Sequence, residues 1–145
     1  MYKHILIATD GSELADKAVA QGLDLAKALG AKATAVTVTE PWTAGAYETI
    51  PTPSLIDAYE KAVTESAARI LAAVDDAARK REVACNTIHV ADRYAMEGIL
   101  DAAKDKGCDL IVMASHGRRG FAGLLLGSET TKVLTHSKVP VLVVR

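Results

Sequence analysis

The sequence has few of the residues that mark several common classes of protein. Its 145 residues include only two cysteines, Cys85 and Cys108, which lie far apart and form no Cys-X-X-Cys pair. Two cysteines are too few for a disulfide-stabilised scaffold, so we expect both to be buried, reduced side chains. Only 4% of the residues are aromatic although 50% are hydrophobic, which predicts a mainly aliphatic core.

The chain also lacks a basic block and any long apolar run. Its 17 basic and 18 acidic residues are well mixed and give a formal net charge of −1, so no nucleic-acid partner is expected. The apolar run after His4 is shorter than a signal peptide requires, and no run approaches the roughly 18 residues of a membrane span. We therefore expect a cytoplasmic protein without a membrane partner, and the length predicts one domain over residues 1–145.

What the sequence does contain is an alternation of short apolar runs with longer amphipathic segments. The predicted strands cover residues 4–9, 33–38, 87–90, 108–114 and 139–144. The predicted helices cover residues 12–29, a long segment from Ser54, 96–106 and 128 to about 135. Because parallel neighbours need a crossover connection, this order predicts an α/β fold: an open five-stranded parallel sheet with helices on both faces.

The second predicted helix follows a proline-containing loop over residues 40–53. Ser54 and Asp57 have the spacing of a capping box. An apolar stripe is expected along the helix at Ile56, Tyr59, Val63, Ile70, Val74 and Ala77. In the loop, Trp42 and Tyr47 have three possible roles: a lid, a contact surface, or packing of the loop against the protein.

Ligands of open parallel sheets bind beyond the carboxyl ends of the strands, where the strand order reverses. The chemistry is therefore expected at residues 8–11, 38–41 and 115–128. Residues 114–128 contain Gly117, Gly120, Gly123 and Gly127, and they lead into a helix that we expect Ser128 to cap. Glycines allow close backbone approach to an anion, and a helix N-terminus attracts one.

The arginine pair Arg118–Arg119 adds fixed positive charge to this loop, so the segment suits a polyphosphate. A flexible loop with a solvated arginine pair and an ordinary helix cap explains the same spacing, and the pattern alone leaves both open. No Gly-Lys-Ser/Thr follows, so the loop is not a Walker motif. Ser115 and His116 suggest a nucleophile and base, but adjacent residues at a strand end point in opposite directions, which disfavours catalysis.

Three segments resemble the universal stress protein family: residues 5–12 (ILIATDGS), 109–117 (DLIVMASHG) and 139–144 (VPVLVV). Nucleotide-binding members carry Gly-X2-Gly-X9-Gly-Ser/Thr. Here the second and third glycines are Gly117 and Gly127, whereas Ala114 replaces the first. An alanine there costs on the order of 1 kcal/mol if the position needs a positive φ angle, and little at an ordinary strand end.

The resemblance implies a Rossmann-like fold of the adenine nucleotide alpha hydrolase type with strand order 3-2-1-4-5. It implies a stress-response or signalling protein that holds ATP, with Mg²⁺ or Mn²⁺ as an optional companion, and turns over little of it. The nucleotide-contacting residues would be Ala8, Thr9, Asp10, Val38, Met113, Ala114, His116, Gly117, Arg118, Arg119, Gly127, Ser128, Glu129 and Thr130.

Within this set, Asp10 would bind the ribose hydroxyls, although it could also cap the first helix together with Glu13. Val38 would offer backbone groups to adenine. Glu129 suits a site for phosphates if only its backbone N–H is used or if a divalent cation intervenes. The family also implies a homodimer formed through Val139–Val144, and an uncovered apolar edge strand independently favours such pairing.

Two other functions stay open. A slow ATPase or self-phosphorylating enzyme would use Ser128, Thr130 or Thr131 near the phosphates. A nucleotide-free interaction dimer is favoured if Ala114 blocks the loop.

Overall fold

A computed structural model describes residues 1–42, 50–118 and 126–145. Tyr47, Arg119, Gly120 and Gly123, all named above, lie outside the described residues. The elements follow the chain as β1 (His4–Ala8), α1 (Glu13–Leu29), β2 (Lys32–Thr39), α2 (Pro53–Arg81), β3 (Cys85–Ala91), α3 (Ala95–Lys106), β4 (Leu110–Ala114), α4 (Ser128–His136) and β5 (Val141–Val144). None of the described helices is long and apolar enough to cross a membrane.

The five strands form one parallel sheet in the order β3-β2-β1-β4-β5, which confirms the predicted fold and strand order. The order reverses between β1 and β4, because the chain adds β2 and β3 on one side and then crosses to the other. All five residues of β1 and all five of β4 are buried. Such continuous apolar strands need cover on both faces of the sheet.

The two faces carry separate hydrophobic layers. Ile5 and Ile7 of β1 pack with Leu23 of α1 and Leu71 of α2 on one face. Leu6 and Ala8 point to the opposite face and join the cluster that includes Ile99 of α3 and Val133 of α4. The alternation follows from the two-residue period of a strand. The core is aliphatic, as the composition predicts.

Two helix caps differ from those predicted. Ser12 caps α1 by accepting a hydrogen bond from the Ala15 N–H at 3.2 Å, so Asp10 is not the cap of this helix. Gly127, in an extended conformation, is the N-cap of α4, and Ser128 is already its first helical residue. In both places the N-cap lies one or two residues away from the polar residue that the motif indicated.

The long helix α2 begins earlier than predicted. Thr52 is its N-cap and accepts from the Leu55 N–H, because Pro53 fits the first helical position and needs no donor there. The predicted Ser54–Asp57 capping box is therefore wrong.

Of the predicted α2 stripe only Val74 is buried, and Ala77 packs partly against the core. The fully buried residues are Ala67, Leu71, Val74 and Ala78. The 29 residues of α2 span about 44 Å, whereas strands of four to eight residues span about 13–26 Å. The helix is therefore longer than the strands of the sheet, and its first half extends past their carboxyl ends.

The strands and cysteines also differ in detail. β4 and β5 are each two residues shorter at their starts than predicted, and β3 is longer. Cys108 is buried as expected, and burial raises the pKa of its thiol to about 11. Cys85 is only half-buried, because it lies on β3, which is at the edge of the sheet and has a neighbouring strand on one side only.

The buried His4 at the amino end of β1 predicts a pH dependence of stability. Its Nε2 lies 2.8 Å from Thr34 Oγ1, and burial followed by the nearby Lys32 charge lowers the pKa of the imidazole. The unfolded chain takes up this proton near pH 6.5, but the folded protein does so only at lower pH. The free energy of unfolding should therefore fall as the pH drops below about 6.5.

Urea unfolding at about pH 7 and about pH 5.5 measures this loss. His4→Gln, which keeps a polar partner for Thr34, should show a smaller decline. The two proteins should behave in parallel between about pH 7 and pH 8, where the ring is neutral in both states. An equal decline in both proteins below pH 6.5 would rule out His4 as its source.

Candidate functional site

The fold brings most of the predicted site residues to the carboxyl edge of three adjacent strands. Thr9 and Asp10 follow Ala8 at the end of β1, Val38 lies near the end of β2, and Met113 and Ala114 end β4. β1 is hydrogen-bonded to both β2 and β4. This edge therefore contains the crevice between β1 and β4. The strand order reverses there, and ligands of such sheets bind at that point.

Asp10 links the loops that leave β1 and β4. Its Oδ1 accepts from the Ser12 N–H at 2.9 Å, and its Oδ2 accepts from the Arg118 N–H at 3.0 Å. Thr9 stabilises the same turn, because its Oγ1 accepts from the Gly11 N–H at 3.1 Å. The half-buried carboxylate therefore stands as an acceptor in the middle of the crevice.

Gly117 lies against that carboxylate. A β-carbon at position 117 would collide with Asp10 Oδ2. The missing side chain therefore allows the loop after β4 to close onto Asp10. This contact favours glycine at position 117 of this chain.

Arg118 does not stand alone in solvent. Its guanidinium Nη2 lies beside Gly11, where it would be 3.1 Å from a β-carbon added to that glycine. The side chain of Ile70, on α2, approaches the same point more closely, at 2.7 Å. Arg118 therefore covers the β1 turn on the side of α2, with its charge at the rim of the crevice.

The first turn of α4 is fixed to the end of β4. The Gly127 N–H donates to Ser115 O at 2.6 Å, and the buried Thr130 hydroxyl donates to Ala114 O at 2.9 Å. Ser128 remains exposed. Because the N-cap Gly127 has no side chain, no side chain of the described residues caps the first N–H groups of the helix.

Ala114 fits its position without strain. Among the described residues, the non-glycine residues with positive φ are Glu82 and Asp92, so Ala114 has ordinary strand angles. Its methyl group is buried in the core layer on the side of α1 and α2. The replacement of the first motif glycine therefore carries no backbone penalty here.

Glu129 turns its carboxylate away from the loop and onto α3. Oε2 accepts from the Met96 N–H at 3.0 Å, and Oε1 pairs with Lys132 Nζ at 3.0 Å. Tyr94, the N-cap of α3, makes no side-chain cap of its own, so Glu129 supplies the missing acceptor. The Glu129 carboxylate is therefore held at α3.

Ser115 and His116 do not form a catalytic pair. Ser115 is buried, and its backbone bonds both Val144 and Gly127. His116 is half-buried, and its Nδ1 has a long 3.4 Å contact with Gly117 O. His116 thus lines the crevice, but it activates no neighbouring hydroxyl.

The structure adds residues of α1 that the motifs did not indicate. A groove of about 280 Å³ opens beside Asp10 and is lined by Ser12, Glu13, Leu14, Lys17, His116 and Gly117. Glu13 and Lys17 are one helical turn apart, so helical spacing after the Asp10 turn could have identified them. A larger groove of about 480 Å³ lies between α2 and β3, but it contains none of the predicted site residues.

Trp42 packs the loop after β2 against α2. Its ring meets Tyr59 edge-on with centroids 5.2 Å apart, and the Tyr59 hydroxyl donates to Glu40 O at 2.8 Å. Of the three roles open to Trp42, the structure supports packing.

Comparison with known proteins identifies the family. A sequence model of the universal stress protein family matches residues 1–145. The chain belongs to this family. It is 34% identical over 152 residues to universal stress protein YxiE of Bacillus subtilis, with all of both chains covered.

Solved structures agree with this assignment. The protein MJ0577 of Methanocaldococcus jannaschii superimposes with a TM-score of 0.81 and 30% identity over 99% of this chain and 96% of that one. A universal stress protein in complex with cAMP superimposes with a TM-score of 0.74 and 27% identity over 99% of this chain and 97% of that one.

Gly11 provides a test of the site's packing. It has a φ of +76° and is crowded by Ile70, whereas Gly30 has a φ of +64° with open space around it. Gly30→Ala should cost about 1 kcal/mol of unfolding free energy, from the backbone alone. Gly11→Ala should cost about 2–3 kcal/mol, because the methyl must also displace Ile70. Chemical denaturation of both variants measures the difference, and equal losses would show that the crowding has no energetic effect.

Proposed function

We propose that this protein binds ATP in the crevice between the carboxyl ends of β1, β2 and β4, and that it acts in stress response or signalling with little turnover of the nucleotide. The observation that carries the proposal is the contact of Gly117 with Asp10. This contact brings the Asp10 carboxylate, an acceptor suited to ribose, next to the loop after β4, which is suited to phosphates. Both lie at the point where the strand order of the sheet reverses.

Asp10 is the proposed ribose ligand. Its carboxylate already accepts two backbone N–H groups, and a carboxylate has about four acceptor positions. The remaining positions can accept from the ribose hydroxyls without breaking the turn. Ala8, Thr9, Val38 and Met113 would then border the base and the ribose on the floor of the crevice.

The phosphates would lie at the first turn of α4, between Gly117 and Gly127. This turn offers N–H groups that no side chain caps, and the helix dipole favours an anion there. Ser128 and Thr130 would contribute their backbone N–H groups. The Glu129 carboxylate is occupied at α3, which removes its main conflict with a phosphate.

Two of the three hydroxyl groups near the proposed phosphates already donate to backbone carbonyls, which favours binding over self-phosphorylation at those two positions, whereas Ser128 is exposed. The Thr130 hydroxyl is buried and donates to Ala114 O, and the Thr131 hydroxyl donates to Gly127 O. Binding of an adenine nucleotide is further supported by the family, since a relative of 27% identity has been solved with cAMP.

The first test is to denature freshly purified protein and identify the nucleotide released, and then to titrate ATP into stripped protein with and without Mg²⁺. ATP release, or micromolar binding, is expected. Gly117→Val should abolish binding, because its side chain would displace Asp10. Gly30→Ala, a destabilised variant whose substitution lies at the far end of α1, should bind normally.

Absence of both released nucleotide and binding at about 1 mM ATP, a limit of roughly −4 kcal/mol, would overturn the proposal. Rapid hydrolysis by the purified protein would contradict the low turnover while leaving the binding site in place.

We also propose a homodimer formed through the exposed side of β5 within Val139–Val144. The carbonyl of Pro140 accepts from the Ile111 N–H of β4, and the carbonyl of Val144 accepts from the N–H of Ser115, the residue after β4. By the two-residue period of a strand, the backbone of Leu142 also faces β4, whereas that of Val141 and Val143 faces away. A second copy of β5 could pair with these outward groups and cover the edge.

Val143→Pro tests this pairing because it removes an outward N–H that β4 does not use. The monomer should remain folded, and the dimer should dissociate in sedimentation equilibrium. Leu142→Pro is the matched control, since it removes a hydrogen bond to β4 and should destabilise the monomer itself. A dimer that survives Val143→Pro with unchanged affinity would exclude the β5 interface.

A further inference from the structure

The first turn of α3 contacts both parts of the proposed nucleotide crevice. Its Met96 N–H donates to Glu129 Oε2, in the first turn of α4, at 3.0 Å. Two residues further along α3, Gly98 lies against the side chain of Val38, near the carboxyl end of β2. The proposed phosphate position is the first turn of α4, and Val38 is a proposed contact of the base. One turn of helix therefore connects the two parts of the crevice.

The contact between α3 and β2 leaves no room for a side chain at position 98. A β-carbon there would lie 2.8 Å from both Cγ1 and Cγ2 of Val38. Glycine is unfavourable inside a helix because of its backbone freedom, and here it allows α3 to approach the end of β2 closely. Gly98 itself is buried. A shift of α3 relative to β2 would therefore alter the packing of Val38.

The contact between α3 and α4 depends on one carboxylate. Tyr94, the N-cap of α3, makes no side-chain cap, and Glu129 supplies an acceptor from 33 residues beyond Met96. The other oxygen of the carboxylate pairs with Lys132 Nζ at 3.0 Å, which holds the side chain from a second direction. A carboxylate at a helix N-terminus makes a charge-assisted hydrogen bond that the helix dipole favours. Glu129 therefore joins the start of α3 to the first turn of α4.

We infer that Glu129 is a positioning residue of the nucleotide site, and that its carboxylate acts through α3 without touching the nucleotide. The inference rests on the proposed nucleotide binding. The carboxylate holds α3 at the first turn of α4, and α3 in turn packs on Val38 through Gly98. A ligand that spans both parts of the crevice gains affinity when their separation is fixed in advance. ATP spans both parts, whereas adenosine reaches only one of them.

Other roles of the Glu129 carboxylate predict different effects of substitution. If the carboxylate only repelled the phosphates, both Glu129→Ala and Glu129→Gln would strengthen ATP binding. If it bound the phosphates through a divalent cation, both variants would weaken ATP binding in Mg²⁺ but not in EDTA. If it positions α3, only the variant that lacks an acceptor weakens ATP binding, and it does so with or without Mg²⁺.

The test is calorimetric titration of the stripped protein with ATP, in EDTA and in Mg²⁺. Glu129→Ala should weaken ATP binding about fivefold to tenfold in both, the scale of one lost hydrogen bond. Glu129→Gln should keep the affinity within about twofold, because its amide oxygen can accept from the same Met96 N–H. The affinity of Glu129→Ala for adenosine, measured by competition with ATP, should equal that of the wild type.

Gly107→Ala is the matched control for the stability of α3. Gly107 caps the opposite end of this helix with a φ of +66° and open space around it. The substitution should lower the free energy of unfolding through the backbone, but it leaves the bond between Glu129 and Met96 in place. Its ATP affinity should therefore equal that of the wild type.

Each outcome decides the inference. A loss of ATP affinity in Glu129→Ala that Glu129→Gln and Gly107→Ala do not share supports it. Unchanged or tighter ATP binding by Glu129→Ala overturns the positioning role, as does an equal loss in Glu129→Gln, in Gly107→Ala or in the affinity for adenosine. In these cases ATP binding by the wild type still supports the proposed function. If the wild type binds no ATP, the proposed function and this inference fail together.

Discussion

The burial of β1 on both faces is the constraint on which the rest of the structure depends. Its five residues lie between β2 and β4 and beneath helices on each side, so none of its side chains can be polar and exposed. A strand in that position has its carboxyl end at the point where the sheet reverses. The residues that follow β1 therefore lie in the crevice. In this chain they are Thr9, Asp10 and Gly11.

Once these residues lie in the crevice, a few close contacts determine its geometry. Asp10 can bond to both loops only because residue 117 has no side chain. The α4 turn approaches β4 closely enough for Thr130 to bond Ala114, and a β-carbon at Gly127 would lie 3.2 Å from His116 Cα. Gly117, Gly127 and the small residue Ala114 therefore determine how near the loop after β1 and the loop after β4 come to each other.

The fold was predictable from the sequence because its signals are local and repeated. Apolar runs such as residues 4–9 must be buried. Because these runs alternate with amphipathic segments, only a few chain topologies are possible for the fold. The strand order came from the family resemblance and not from the spacing. Helix starts were less predictable: Thr52 and Ser54 are both good caps, and the choice depends on Pro53 fitting the first helical position.

The site was predictable only in part. The motif spacing singled out Gly117 and Gly127, and the family resemblance singled out Asp10, and the structure brings Asp10 into contact with Gly117. The spacing could not identify the turn of Glu129 toward Met96, since that depends on which helices lie side by side in space. Nor could it decide whether Ala114 strains the loop, which depends on a φ angle.

The bond between Glu129 and Met96 also has a consequence for the order in which the protein can be completed during synthesis. The two residues are 33 positions apart, so α3 leaves the ribosome well before the carboxylate that caps it. Its own N-cap, Tyr94, offers no substitute. The start of α3 can therefore acquire this hydrogen bond only after α4 has docked.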